Sequence, residues 1–299
     1  MSDWSGKLVS RFGPRARPAE PLRLHTTFRI GGAAEMFLTV HSLDELLSTV
    51  GLCRDAGVRL LVLGKGSNVL APDEGLPGLV ATLEGELAAM RVEAATARLV
   101  VGAGGGMDAA ARCAATAGLA GLEWSAGLPG TVGGAIAGNA GAWGGCVKDV
   151  LAEVVVVDRA ARAHTVAASD LELDYRSSAV AKNGWIIVEA TFTLARSNRE
   201  ELERTMADYR RKRALGQPGG ASAGSIFRNP PGNAAGRLLD EAGCKGLRVG
   251  AAVVSSRHAN FVINEGAGTA ADVKTLIDLM RRRVAEHAGV ELELEVRLL

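Results

Sequence analysis

From Gly127 to Gly144 the chain reads Gly-Leu-Pro-Gly-Thr-Val-Gly-Gly-Ala-Ile-Ala-Gly-Asn-Ala-Gly-Ala-Trp-Gly, with seven glycines and four alanines in eighteen residues. Glycine loses more conformational entropy on folding than any other residue, so this density needs a reason. Close approach supplies one. Backbone N–H groups freed of side chains can press against a flat, anionic ligand and donate hydrogen bonds to it. A flexible linker is the competing explanation, but linkers are Ser-rich and lack the interspersed Val132, Ile136 and Trp143. The stretch is read as a ligand cradle.

Size and charge narrow what surrounds that cradle. At 299 residues the chain is long for one core and suits two or three compact lobes. Its 47% hydrophobic and 22% charged residues are ordinary for a globular enzyme and exclude disorder. A formal net charge of +1 leaves no electrostatic footprint for nucleic acid and no polybasic membrane surface, so an anionic ligand must be met by a local patch. Cys53, Cys113, Cys146 and Cys244 are widely spaced, which fits reduced thiols and neither a disulfide frame nor a zinc site. The histidines are equally scattered, so no metal is expected. No apolar run approaches the roughly 18 residues of a membrane span, and the N-terminus has no apolar core of a secretory signal. The expected location is the cytoplasm.

Periodicity places the elements. Residues 33–63 read as β-α-β: a strand over Ala33–Val40, a helix opened by a Ser42–Glu45 capping box, and a strand over Val58–Leu63. A strand over Leu99–Val101 runs through Gly102–Gly106 into an Ala-rich helix over 107–117. Strand signals return at Val154–Val157 and Trp185–Leu194, followed by a basic helix over Leu202–Arg213. Thr269–Asp272 caps a second strong helix, with Val273, Leu276, Ile277, Met280 and Val284 along one face. The strict alternation of Val290–Leu298 predicts a half-buried terminal strand with Glu291, Glu293, Glu295 and Arg297 on its wet face. Without a regular βαβα series, the fold class is α+β.

Two glycine motifs are decoys. Gly102-Ala-Gly-Gly-Gly-Met107 sits where a dinucleotide fingerprint would, but its third glycine position is Met107. Gly64-Lys-Gly-Ser67 lacks the spacing of a P-loop and the helix that must follow one. Both are read as structural or ligand-facing turns of another kind.

Several segments together carry a resemblance. They are Thr26-Thr-Phe-Arg-Ile-Gly-Gly-Ala33, Leu63-Gly-Lys-Gly-Ser-Asn68, Gly127–Gly144 with Asp174-Tyr-Arg-Ser177, Ala223-Gly-Ser-Ile-Phe-Arg-Asn-Pro230, Val253-Ser-Ser-Arg-His-Ala-Asn-Phe261 and the terminal Glu-Val-Arg. In this order they resemble the UDP-N-acetylenolpyruvoylglucosamine reductases, from about Leu22 to Leu299. The resemblance implies an FAD-binding fold of the vanillyl-alcohol-oxidase type in two subdomains, over 1–80 and 81–215. The C-terminal strand is a candidate to return to the first, and a substrate-binding α+β domain follows over 216–299. FAD would be held non-covalently by Gly64, Gly66, Ser67, Asn68, Gly127, Pro129, Gly130, Thr131, Gly133, Gly134, Asn139 and Gly141. Of these, Ser67, Asn68, Thr131 and Asn139 read equally as turn-stabilising side chains.

The implied reaction is reduction of an enolpyruvyl ether. NADPH would give hydride to the flavin and be replaced by a small-molecule UDP sugar, whose terminal enol carbon then takes the hydride. Ser225 would donate the proton to the adjacent carbon, Arg176 would stabilise the developing enolate, and Glu295 would polarise the enolpyruvyl group. Taken alone, Ser225 is a turn residue, Arg176 a surface ion pair and Glu295 part of a wet strand face. Tyr175, Arg210, Arg211, Arg228, Asn229 and Asn260 are the substrate candidates, although Arg210-Arg-Lys-Arg213 also suits a solvated helix face.

The chain departs from the usual pattern at Arg228, commonly lysine, at Leu294, commonly proline, and at Lys65 and Cys244. It is short between Tyr175 and Ser225, like the subclass that lacks a substrate-covering insertion. Two other readings stand beside the reductase. A flavin oxidase of the same fold explains the glycine loops but not Ser225, Arg176 and Glu295 together. A non-catalytic UDP-sugar sensor explains the last lobe but not the flavin cradle.

Overall fold

The structure, a computed structural model, describes residues 3–299. Helices α1 (Asp3–Phe12), α2 (Leu43–Asp55), α3 (Met107–Thr116), α4 (Val132–Ala137), α5 (Val180–Asn183), α6 (Arg199–Gly216), α7 (Ala235–Glu241) and α8 (Ala270–Ala288) are interleaved with short strands. The chain is α+β. Among the described residues no helix is long and apolar enough to cross a membrane.

Helices begin where a side chain can hold their free N–H groups. At α8 the expected capping box is complete: Thr269 Oγ1 accepts from Asp272 N at 3.0 Å and Asp272 accepts from Thr269 N at 3.1 Å. Asp73 reinforces it, taking Ala270 N and Ala271 N at 2.7 and 3.0 Å. At α2 only half of the box forms. Ser42 Oγ accepts from Glu45 N at 3.3 Å, but the Glu45 carboxylate accepts from His41 N and grips both Arg15 guanidinium ends at 2.6 and 2.8 Å. Arg15 holds that carboxyl well below its ordinary range, at about 2. A bidentate guanidinium outcompetes a neutral N–H for the same oxygens.

Two larger sheets precede α6. One runs in the order Ala16–Pro21, Ala33–Val40, Leu76–Leu83, Leu60–Val62, with the last pair parallel. The other is antiparallel throughout, in the order Ala163–Ala167, Leu151–Val157, Ile186–Thr193, Arg98–Gly102, Met90–Glu93. The inserted strand Leu76–Leu83 lies between the two strands of the expected β-α-β segment.

The chain divides into two compact units. The first takes residues 1–18, 36–64 and 78–212, and its core joins Met36, Leu38, Leu46, Leu99, Met107, Ala110, Val154 and Phe192. The second takes residues 19–35, 65–77 and 213–299. There the antiparallel strands Arg248–Val249, Ala252–Val254 and Val262–Asn264 accompany α7 and α8 around Phe227, Leu239, Val262, Leu276 and Met280. Each large side chain of this kind contributes roughly 1.5–3 kcal/mol by burial.

The terminal strand expected over Val290–Leu298 is not formed as one. Only Arg297–Leu298 is strand, parallel to Val69–Leu70, with an isolated bridge between Leu294 and Phe227. The backbone changes partners along the way: Glu293 O accepts from Arg228 N, Glu295 N donates to Ile226 O, and Arg297 N donates to Asn68 O. A two-residue alternation needs one continuous partner. Here Leu292 and Val296 are buried while Leu298 is 47% exposed, so the alternation in sequence does not become an alternation of faces.

Candidate active site

In the first unit the glycine-rich stretch is gripped at its entry. Gly127, at φ +76°, donates its N–H to Asp108 Oδ1 at 2.7 Å. The same oxygen takes Arg210 Nη2 at 2.9 Å, and Arg112 pairs with the other carboxylate oxygen. Burial alone would raise the Asp108 pKa, but the Gly127 N–H and the two guanidinium groups outweigh it and hold the carboxyl below its ordinary range. Gly130 O then accepts from Met107 N, and Thr131 caps α4 by accepting from Gly134 N at 3.2 Å.

The glycines divide by what a side chain would meet. A Cβ at Gly64 would lie 2.5 Å from Thr131 Oγ1, at Gly133 2.9 Å from the Ala103 Cβ, and at Gly141 2.8 Å from the Cys146 Cβ. At these three the protein's own packing already requires glycine. Gly134 is different: it is exposed, and a Cβ there would meet only its own capping Thr131 Oγ1, at 3.3 Å. A further feature suits an anion. The N–H groups of Gly130 and Thr131, and in the second unit those of Lys65, Gly66, Ser67 and Asn68, donate to no acceptor among the described residues. Two of these donors belong to buried residues, Thr131 in the first unit and Gly66 in the second, and in each unit a phosphate group would supply an acceptor. The residues fit FAD. All four cysteines are free and burial pushes each thiol pKa up, which disfavours a covalent flavin–thiolate bond.

Arg176 lies in the tight turn Asp174–Ser177 of the same unit, at φ +54°. Its Nη2 donates to Gly141 O at 3.2 Å, and its guanidinium carbon lies 5.4 Å from the centroid of the half-exposed Tyr175 ring. Asn139 is buried, with both ends of its amide on backbone groups: Nδ2 donates to Asp174 O at 2.9 Å and Oδ1 accepts from Lys148 N at 3.0 Å. The amide thus bridges two backbone segments. Trp143 stacks on Tyr209 of α6, with centroids 5.7 Å apart and planes 6° from parallel. Arg211 pairs with Asp208 on an exposed helix face, the solvated alternative for that residue.

In the second unit the segment Gly224–Phe227 carries Ser225. Gly224 is at φ +77°, and Ser225 bridges to Phe261. Asn260 brackets the segment: its Oδ1 accepts from Phe227 N at 2.9 Å and its Nδ2 donates to Phe227 O at 2.8 Å. It is 3% exposed, and both ends of its amide are spent on this backbone. One residue after Ser225, Ile226 O accepts from Glu295 N at 2.8 Å. Ser225 and Glu295 therefore sit on directly bonded backbone segments. Glu293, by contrast, has a side chain 79% exposed, 3.7 Å from Arg228. Asn229 Oδ1 accepts from Ala235 N at the head of α7.

Asn68, expected at the flavin, clamps the backbone of Glu295, donating Nδ2 to its carbonyl at 3.1 Å. Thr27 braces the neighbouring loops: its N–H and hydroxyl reach Gly66 O at 3.1 and 3.3 Å, and the hydroxyl lies 2.7 Å from Ser222 O. Sequence reasoning quoted Thr27 inside a motif without giving it work, and it passed over Asp108. Asp108's signal was an acid in the first turn of a helix that follows a glycine-rich turn.

Known proteins match this arrangement. Residues 217–299 fit the family described as UDP-N-acetylenolpyruvoylglucosamine reductase, C-terminal domain, and residues 34–167 fit the FAD binding domain family. A UDP-N-acetylenolpyruvoylglucosamine reductase of Rubrobacter xylanophilus is 42% identical, over 97% of this chain and 97% of that protein. The crystal structure of the enzyme of that name from Thermus caldophilus superposes with a TM-score of 0.81 at 39% identity, covering 95% of this chain and 97% of that one. At 16% identity an alkyldihydroxyacetonephosphate synthase shares the fold, with a TM-score of 0.52 over 66% of this chain and 40% of its own. The fold is the flavin-binding type that the resemblance implies.

Proposed function

Because this chain belongs to the UDP-N-acetylenolpyruvoylglucosamine reductase family, we propose that it reduces UDP-N-acetylglucosamine enolpyruvate to UDP-N-acetylmuramate with NADPH, in the cytoplasm, and that Ser225, Arg176 and Glu295 carry the proton and charge. FAD, when bound, would supply the hydride chemistry between NADPH and the enol ether.

The protein's residues do the rest. Arg176 meets the substrate carboxylate as negative charge builds beside it, with a permanently charged guanidinium whose paired donors match two oxygens. Its Tyr175 neighbour covers one flank of that guanidinium. Ser225 Oγ gives its proton to the carbon next to the carboxylate. A hydroxyl is a weak acid at its free pKa, so this step needs a polar group that moves charge with it, and Glu295 takes that part. Arg228 is suited to the diphosphate of the UDP sugar. Gly130 and Thr131 of the first unit, and separately the loop Lys65–Asn68 of the second, offer backbone N–H groups suited to phosphate oxygens of FAD.

The observation that carries this reading is the Glu295 N to Ile226 O bond, which seats the acid beside the residue following Ser225. NADPH oxidation with the enolpyruvyl UDP sugar as sole acceptor tests it. Turnover that requires both partners is expected. Oxidation that proceeds on oxygen alone, indifferent to the UDP sugar, would overturn it in favour of an oxidase.

A further inference from the structure

We propose that Asn139 is a positioning residue for Arg176, setting the guanidinium for the substrate carboxylate; the proposal rests on the role assigned to Arg176 above. The turn that carries Arg176 is closed by two bonds, Asp174 N to Ser177 O at 3.2 Å and Ser177 N to Asp174 O at 3.0 Å. Within it Arg176 is left-handed, at φ +54°, a conformation that a side chain with a Cβ keeps only where its surroundings impose it.

Three bonds impose it, and all run to the glycine-rich stretch. Asn139 Nδ2 donates to Asp174 O at 2.9 Å, Arg176 Nη2 donates to Gly141 O at 3.2 Å, and Ser178 Oγ donates to Ala137 O at 2.9 Å. Asn139 has a second hold. Its Oδ1 accepts from Lys148 N at 3.0 Å, just beyond the paired strands Gly141–Ala142 and Gly145–Cys146. One buried amide thus fixes both the turn that bears Arg176 and the hairpin whose Gly141 carbonyl the guanidinium rests on.

The residue type follows from the duty. The site needs a donor and an acceptor on one short side chain, and a backbone at φ +38°. Asparagine supplies both groups and enters the left-handed region more readily than most residues. Aspartate would keep the acceptor for Lys148 N but set an oxygen against Asp174 O.

The test uses the holoenzyme of Asn139→Ala and Asn139→Asp, in the wild-type and Arg176→Ala backgrounds. Anaerobic stopped-flow follows flavin reduction by NADPH and reoxidation by the enolpyruvyl UDP sugar, and FAD titration of apoprotein gives cofactor affinity. Either Asn139 variant should leave flavin reduction and FAD affinity within about twofold, and slow reoxidation about 10–100-fold, the scale of a misplaced reacting group. In the Arg176→Ala background the same change should add less than about twofold, because two residues acting through one contact are not additive. An equal loss in both backgrounds, or weakened FAD binding, overturns the positioning role. Arg176→Ala alone with wild-type reoxidation removes the assignment of Arg176 itself, and the role of Asn139 falls with it. If Asn139→Ala does not fold, Asn139→Asp carries the same comparison.

Discussion

Asp108 Oδ1 accepts the N–H of Gly127 at 2.7 Å, so a side chain in the first turn of α3 fixes the entry to the glycine-rich stretch. Arg210 reaches the same oxygen from α6. Asp108→Ala should weaken FAD binding about 10–100-fold, since a hydrogen bond to a charged group contributes about 1.5–3 kcal/mol and about 1.4 kcal/mol is a factor of ten. Titrating apoprotein with FAD and following flavin fluorescence measures it. Asp208→Ala, which breaks only the exposed pair with Arg211, should leave the affinity unchanged. Equal effects from the two would sink the idea that Asp108 works through Gly127.

Glu295 and Glu293 are two residues apart and differ in setting. Glu295→Gln should lower turnover by several orders of magnitude, because a carboxylate at the reacting group is lost. Glu293→Gln should cost far less, since that side chain is 79% exposed and lies 3.7 Å from Arg228 alone. Steady-state kinetics of the pair decide it, and the reverse order would exchange their roles.

Ser225→Ala separates the two half-reactions. Bleaching of the flavin by NADPH needs no proton donor at the sugar and should persist. Reoxidation by the enolpyruvyl substrate should slow by about 10²–10⁴-fold, the usual loss on removing a general acid. A variant that loses the NADPH step and keeps the other would make Ser225 a nicotinamide-positioning group.

Much of this was legible beforehand where a local rule and its tertiary setting agree. Thr269 and Asp272 form the box that their spacing announces, and Ala33–Val40 is the strand its apolar run describes. Reading failed where a partner distant in sequence decides. Glu45 left its capping bond for Arg15, thirty residues earlier. Val290–Leu298 alternates in type but meets Arg228, Ile226 and Asn68 in turn, so no single sheet edge receives it. Asn260 and Asn139 were rightly singled out as polar residues with work to do, yet only coordinates reveal that their amides face backbone. The glycines carry a duty of the same kind: Gly64 and Gly133 are small to admit Thr131 and Ala103, neighbours a sequence cannot show to be adjacent.

The Arg15–Glu45 pair gives a pH signature. The Glu45 carboxyl is depressed to about 2 from an ordinary 4.5 by Arg15, so its contribution is complete above pH 4.5 and is lost as pH falls toward 2. Glu45→Gln should destabilise the protein at pH 7 by about 1–3 kcal/mol. Its melting temperature should approach that of the wild type as the pH drops through that window. Thermal unfolding at pH 7 and near pH 2 checks both, and a deficit that stays constant with pH would exclude the ion pair as its source.

Asn68 gives the loop Lys65–Asn68 a reach beyond its own turn. Its amide holds the Glu295 carbonyl at 3.1 Å, and its carbonyl receives Arg297 N at 3.0 Å. Glu295 belongs to no helix and no extended strand, and its backbone is held by this grip and by the bond to Ile226 O. Loop and terminal segment form an interlock, so a displacement of the loop is passed directly to the backbone of Glu295.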